Sequence, residues 1–441
     1  MKKIYRFLFL GVIVLVLVSA PMSNLVQRVS AAPTNCVDSS PGSAAYIVEV
    51  CITAPASGST FTGDGTISAT VSILSGTDPL TQQVIFFLNN TTYLLTEFSY
   101  PYTFTLPTNR YLDGTYTLNA QALMRDGFTT SQAGISVTFS TGTSTLPVNT
   151  NTFTPKIGNP AAIGQPFVVA AVGDGASGEV NTTNVTNLIA SVNPNLFLYL
   201  GDVYEQGSIA EFYNWYGTGT FFDQFRSITD PTVGHHEYLS DASASSYFYY
   251  WDNVPNYYSV NANGWHIISL NSHGAAGGTS SAEYIWLQAD LAANPAACTI
   301  AYYHNPLYTI GNEAPDLSMT SIWQLLASNK ASIVLNGNDH DYERWAPMNG
   351  NGVPSPAGIT EFVLGTGGHA LEPVPNSDFR VAFWTNTYPT AYGVLFLTLN
   401  PTSADFSFQS SVGGTVLDSG TIPCVPKSTI IYHTYLPLIF K

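Results

Sequence analysis

Between positions 165 and 424, short runs that are apolar on both faces alternate with stretches patterned for helices, and no other feature narrows the fold as far. PFVVAAV, LFLYL, WHIISL, CTIAYY, SIVL and TEFVL offer no polar face, so as strands they require cover on both sides. TNVTNLIASV, SAEYIWLQADLAAN and LSMTSIWQLLAS lie between them and can form the covering helices. The expected fold over 165–424 is therefore an α/β (α+β) domain with sheets flanked by helices.

Residues 46–143 obey a different rule. TISATVSIL, QVIFFLNN, YTFTLP, GTYTLNAQALM and GISVTFS alternate apolar with polar positions and are punctuated by Pro55, Gly58, Gly63 and Asp113-Gly114. Strands at this spacing predict an all-β sandwich. ITAPASGSTF and YLDGTYTLNAQAL resemble the phrasing of bacterial immunoglobulin-like surface domains. The segment has no histidine and no carboxylate cluster, so a spacer or adhesion role is expected. Residues 144–164, rich in Thr, Asn, Pro and Gly, read as a linker. Residues 425–441 form an apolar tail too short to span a membrane, expected as an edge strand or a surface-retention tag.

Charge narrows the function. The chain has 13 Lys and Arg against 29 Asp and Glu, and only 10% of its residues are charged, where about 25% is usual. Such a surface repels phosphate backbones, so nucleic-acid scaffold binding is not expected. Lys2, Lys3 and Arg6 precede an apolar run from Phe7 to Ala20, with small residues near Ser30 and Ala31. Residues 1–31 thus read as a cleaved signal peptide, the run being shorter than the roughly 20 residues of a membrane anchor. The expected location is extracellular or at the cell surface, with association through the sandwich or the tail. Export permits disulfides. Cys36 with Cys51 would close a short loop and leave Cys298 with Cys424, although sequence does not fix the pairing.

The chemistry lies where the apolar runs end. VVAAVGD ends in Asp174, LFLYLGD in Asp202, TVGHHE carries His235 and His236, TIAYYH ends in His304, and IVLNGNDH carries Asn338 and His340. Five segments each deliver an oxygen or imidazole donor at the carboxyl end, where open α/β sheets place their sites. Glycines 173, 201, 234 and 337 stand just before these residues and are expected to make the turns. The mixture of hard oxygens and imidazoles suits Zn, Fe or Mn.

In this order GD, GD, GHHEY, YYHNPLY and GNDHDYERWAP resemble the five blocks of the calcineurin-like metallophosphoesterases, most closely the purple-acid-phosphatase branch. There the blocks read GD, GDxxY, GNHE, HxPxY and GHxHxYER. The resemblance covers roughly 165–424 and implies a sandwich of two sheets, two transition-metal ions and a small phosphoester substrate. It implies that Asp202 bridges the metals, that Asp174 and His340 hold the first, and that His235, His304 and Asn338 hold the second. His236 would stand beside the phosphate as general acid.

Three departures carry consequences. His235 stands where the family has Asn, and Asn338 where it has His. Either two ligands of the second metal have been exchanged with the donor set preserved, or the second site is weakened. Tyr204 follows Asp202 by two residues rather than three, which places its role as a ligand in doubt. Glu237 is expected to orient His236, Asp339 and Asp341 to support His340, and Glu343 with Arg344 to form an ion pair. His266 is expected to be structural, and His369, after GTGG, to lie in a solvated loop, the alternative being that it lines the pocket.

Two other readings compete. Gly173, Gly175 and Gly178 satisfy GxGxxG, but Asp174 would set a carboxylate against a dinucleotide pyrophosphate. The stronger rival is a phosphatase-like surface binding or adhesion protein whose altered metal site is catalytically weakened.

Overall fold

The computed structural model describes residues 35–43, 45–156, 166–217, 219–273, 278–296 and 298–424. The segments read as signal peptide and C-terminal tail lie outside the described residues.

At the N-terminal end, Cys36–Ser39, Tyr46–Ala54, Gly65–Gly76 and Tyr102–Leu106 form an antiparallel sheet. It faces a five-stranded sheet ordered Ser59–Phe61, Ala133–Phe139, Gly114–Met124, Thr81–Leu88 and Thr92–Glu97. Alternation places Val48, Val50, Ile67, Val84, Phe86, Leu118 and Ile135 between the sheets.

Two further sheets build the rest. In one, Thr229–Pro231, Leu196–Tyr199 and Val168–Val172 run parallel, and Val168–Val172 pairs antiparallel with Gly393–Leu399, followed by Ser403–Ser410 and Val416–Pro423. In the other, Trp265–Ser269, Cys298–Tyr302, Ile333–Asn336 and Thr360–Leu364 run parallel, with antiparallel strands at the edges. Leu196, Leu198, Ile300, Leu335, Phe362 and Leu397 fill the space between them. Helices Ala282–Ala293 and Thr320–Ser328 cover the outer face of the second sheet through Leu287, Leu291, Ile322 and Leu326. Ser281 caps the first of these by accepting from the Tyr284 amide at 3.1 Å. The both-faces-apolar runs are thus central strands, as their composition requires.

The two disulfides join Cys36 to Cys51 and Cys298 to Cys424. The first links register partners on adjacent strands, and the second ties a central strand of one sheet to the end of the last strand of the other.

The N-terminal sandwich is packed against the rest rather than spaced from it. Its core is continuous with the cluster holding Val172, Val185 and Tyr216 on the outer face of the Val168–Val172 sheet. The described part of the linker is pinned as well. Asn149 and Asn151 donate to Asp252 at 3.0 and 2.9 Å, and the Lys156 amide donates to Asp230 at 2.7 Å.

Glu283 is buried inside helix Ala282–Ala293, one oxygen accepting from the Asn271 amide at 2.8 Å and the other without a partner. Burial pushes its carboxyl up to about 7. A folded-state value above the unfolded one contributes stability that is complete below the unfolded pKa and is lost as pH rises through about 7. Glu283→Gln should therefore gain on the wild type between pH 5 and pH 8, on the order of 2 kcal/mol, in parallel denaturant titrations. Equal pH dependence in both proteins would refute this.

Candidate metal centre

The carboxyl ends of the parallel strands from both sheets meet at one edge. The Gly173 amide donates to the Leu364 carbonyl at 3.0 Å, and the Asp174 amide to the Gly201 carbonyl at 3.1 Å, which brings the turns together. Asp174, Asp202 and Asn338 occupy the left-handed region at φ 58, 60 and 76°. A non-glycine residue there costs about 1 kcal/mol or more and is characteristic of functional turns. Glycines are expected from the sequence to make these turns; Gly201 does so at φ 99°, whereas at Gly173 and Gly337 the donor that follows takes the left-handed conformation. The glycines are needed for clearance: a Cβ on Gly234 would collide with Asp202 Oδ1, and one on Gly337 with Asp174 Oδ2. Gly234→Ala should weaken metal retention and lower activity on the order of a hundredfold, measured by elemental analysis and phosphoester turnover; full retention would refute the clearance argument.

Asp174 and Asp202 are fully buried, yet Asp174 Oδ1 and Asp202 Oδ2 accept no hydrogen bond. Around Asp202 Oδ2 stand His304 Nε2 at 3.1 Å, His235 Nδ1 at 3.3 Å and His236 Nε2 at 3.8 Å. His340 Nε2 lies 3.6 Å from Asp174 Oδ1. Two donor sets small enough for a cation share Asp202: one with His235 and His236, the other with Asp174 and His304.

Backbone carbonyls orient the rings. His304 Nδ1 contacts the Leu200 carbonyl at 2.8 Å, His340 Nδ1 that of Ala370 at 2.8 Å, and His236 Nδ1 that of Glu205 at 2.7 Å. A carbonyl only accepts, so each Nδ1 carries a proton and each Nε2 faces the chamber. Burial alone would raise the Asp202 carboxyl, but His304, His235 and His236 hold it well below the usual range. His304 is correspondingly pushed up to about 10 by Asp202 and Asp174 against the effect of burial, while burial takes His235 down to about 4. Orphaned buried carboxylate oxygens facing imidazole nitrogens are what a transition-metal site requires, so the residues fit the cofactor.

Several neighbours behave differently from expectation. The Asn338 side-chain oxygen accepts from Asn305 at 2.7 Å rather than facing the imidazoles. Its second lone pair remains for a cation. Tyr204 does reach the centre, with its hydroxyl 2.8 Å from His340 Nε2 and its ring stacked on His236. Glu237 accepts from the Gly234 and Asp202 amides, at 2.7 and 3.2 Å, instead of orienting the His236 ring. Asp339 accepts from Thr309 and the Glu313 amide, whereas both oxygens of buried Asp341 lack partners. Glu343 and Arg344 point to opposite faces of one strand, so they do not pair: Arg344 binds Asp418, and Glu343 accepts from Ile310 and Trp345. His266 is buried against Asp290, as a structural histidine should be.

His369 is buried rather than solvated. Nδ1 bonds Glu179, Nε2 lies 3.4 Å from Glu205, and the ring meets Tyr204 and Phe98. Sequence reasoning also passed over Tyr199, whose hydroxyl donates to the Asp202 carbonyl at 2.9 Å and accepts from the Ala176 amide at 2.9 Å. It ties both aspartate turns together, but within LFLYL it is indistinguishable from a core residue.

Comparison with known proteins agrees with this geometry. Residues 49–120 match the bacterial Ig domain, and residues 168–342 match the calcineurin-like phosphoesterase family. Comparison with curated proteins gives no significant match. Among solved structures, a purple acid phosphatase from yellow lupin (Lupinus luteus) seeds is similar in fold at 14% identity and TM-score 0.51, covering 86% of this chain and 79% of that one. GAP50, the anchor in the inner membrane complex of Plasmodium, aligns at 13% identity and TM-score 0.49 over 60% of this chain and 90% of its own. Residues 168–342 thus carry a calcineurin-like phosphoesterase domain, which makes the protein a phosphoesterase hydrolase, and a bacterial Ig domain precedes it at 49–120.

Proposed function

We propose that the protein is an exported phosphomonoesterase working through a dinuclear metal site. The single observation that carries this reading is the pair of buried, unpartnered oxygens on Asp174 and Asp202 faced by imidazole nitrogens. Asp202 would be shared by two ions, with Asp174 and His340 serving one and His235, His304 and Asn338 the other. Ions of Zn, Fe or Mn type, when bound, would neutralise the carboxylates, hold the phosphate and acidify a water.

The protein's own residues do the rest. Water adds to phosphorus, the bond from phosphorus to the alcohol oxygen breaks, and the departing oxygen takes a proton. His236 supplies that proton from Nε2 while its Nδ1–H goes on donating to the Glu205 carbonyl, which fixes the ring. Tyr204 stacks on the same ring and limits its rotation.

Export rests on the basic and apolar pattern of residues 1–31, and surface association on the Ig domain or the tail. The alternative, a weakened phosphatase-like binding protein, draws its support from the engagement of Asn338 by Asn305. Hydrolysis of p-nitrophenyl phosphate, abolished by a chelator and restored by added metal, is the expected result. No turnover of any phosphomonoester by the folded, metal-supplied protein would leave the binding-protein reading in its place.

A further inference from the structure

Beside the metal centre runs a groove of about 320 Å³, placed to receive the alcohol portion of a phosphate ester. His235 and Asn338 are among its lining residues, so it adjoins the site. Ser272 and Asn305 form the floor, held to each other by two hydrogen bonds of 2.9 Å. Glu313, Asp316 and His273 line it as well, the His273 ring stacked on Tyr238. The Glu313 amide is fastened to Asp339 at 2.7 Å and the Asp316 amide to the Pro306 carbonyl at 2.8 Å, so the backbone carrying both carboxylates is fixed. No Lys or Arg lines the groove among the described residues. Arg226, Arg344 and Arg380 are engaged by Asp252, Asp418 and Asp378, and Arg110 by Tyr249.

Resting on the phosphomonoesterase reading, we infer that the groove selects phosphate esters of amino alcohols. An ester whose alcohol ends in an ammonium group meets Glu313 and Asp316 with opposite charge, while its phosphate lies on the metal centre. An ester with a second anionic group places that group against two carboxylates with no Lys or Arg among the lining residues, so it is disfavoured. The uncharged floor of Ser272 and Asn305 accommodates the short polar stem between the two ends.

The test is an isosteric series on the metal-loaded enzyme: phosphoethanolamine, 2-hydroxyethyl phosphate and phosphoglycolate, with p-nitrophenyl phosphate as reference. The expected kcat/KM falls in that order by about fivefold per step at low ionic strength, with the steps shrinking as salt is added. Glu313→Gln with Asp316→Asn, which keeps a side-chain acceptor for the Ser318 amide, should compress the order to within about twofold when each rate is taken relative to that of p-nitrophenyl phosphate. Equal rates across the series, or an order that survives the double variant, overturn charge selection while the phosphatase reading stands. Absence of turnover on every ester including the reference instead overturns the reading on which the inference rests.

Discussion

Asp202→Asn is expected to remove both metals and to lower kcat/KM on the order of a thousandfold or more, with the fold intact. Asp202 belongs to both cation-sized donor sets, and its Oδ2 is crowded by three imidazole nitrogens without accepting a hydrogen bond from any. Asn keeps the size but removes the charge, and its amide can donate to the facing His304 nitrogen. The change therefore deletes several kcal/mol of charge stabilisation, equivalent to about three powers of ten in rate. A variant that retained two metals and near-normal turnover would refute the assignment of Asp202.

Breaking the contact between the N-terminal sandwich and the loop after Asp202 is expected to lower kcat by about tenfold without touching a metal donor. Glu211 is the hub. One oxygen lies 3.3 Å from the Gln206 amide and 3.0 Å from that of Ser208, and the other accepts from Tyr93 of the sandwich at 2.6 Å. Ser208 donates to the Leu94 carbonyl, and Asn214 exchanges bonds of 2.9 and 2.8 Å with the Thr105 backbone. The same loop carries Tyr204 and the Glu205 carbonyl that fixes His236. Tyr93→Phe leaves a buried Glu211 oxygen unpartnered, destabilising by about 1–3 kcal/mol, and Asn214→Ala removes the paired bonds. The double variant should bind metal normally yet turn over slowly, and excision of residues 46–143 should yield inactive protein. Reduced stability with wild-type kcat would show that the sandwich only supports the fold.

These contacts mark the boundary of what the sequence reveals. The both-faces-apolar strands, and the donors at their ends, were legible because burial and turn chemistry act locally. Asp174, Asp202, His235, His236, His304 and His340 converge from strands distant in sequence, as polar residues following apolar runs in one α/β domain should. Tyr199 was not legible, because it reads as core until the sheets are assembled, and His369 reads first as loop and only second as pocket lining. The sandwich, which has no histidine and no carboxylate cluster, reads in sequence as a spacer or adhesion module. Its role in fixing the loop depends on the Tyr93–Glu211 and Thr105–Asn214 pairings, whose members lie more than a hundred residues apart. The Asn338–Asn305 bond was hidden for the same reason, since side-chain pairing between two turns leaves no periodic trace.

Metal content of the purified protein, with phosphatase activity determined on the same sample, tests the central claim most directly. The account predicts close to two transition-metal ions per chain, loss of p-nitrophenyl phosphate hydrolysis when they are removed, and no metal in Asp202→Asn. One ion or none in a folded chain supplied with Zn, Fe or Mn, together with no turnover, would contradict it.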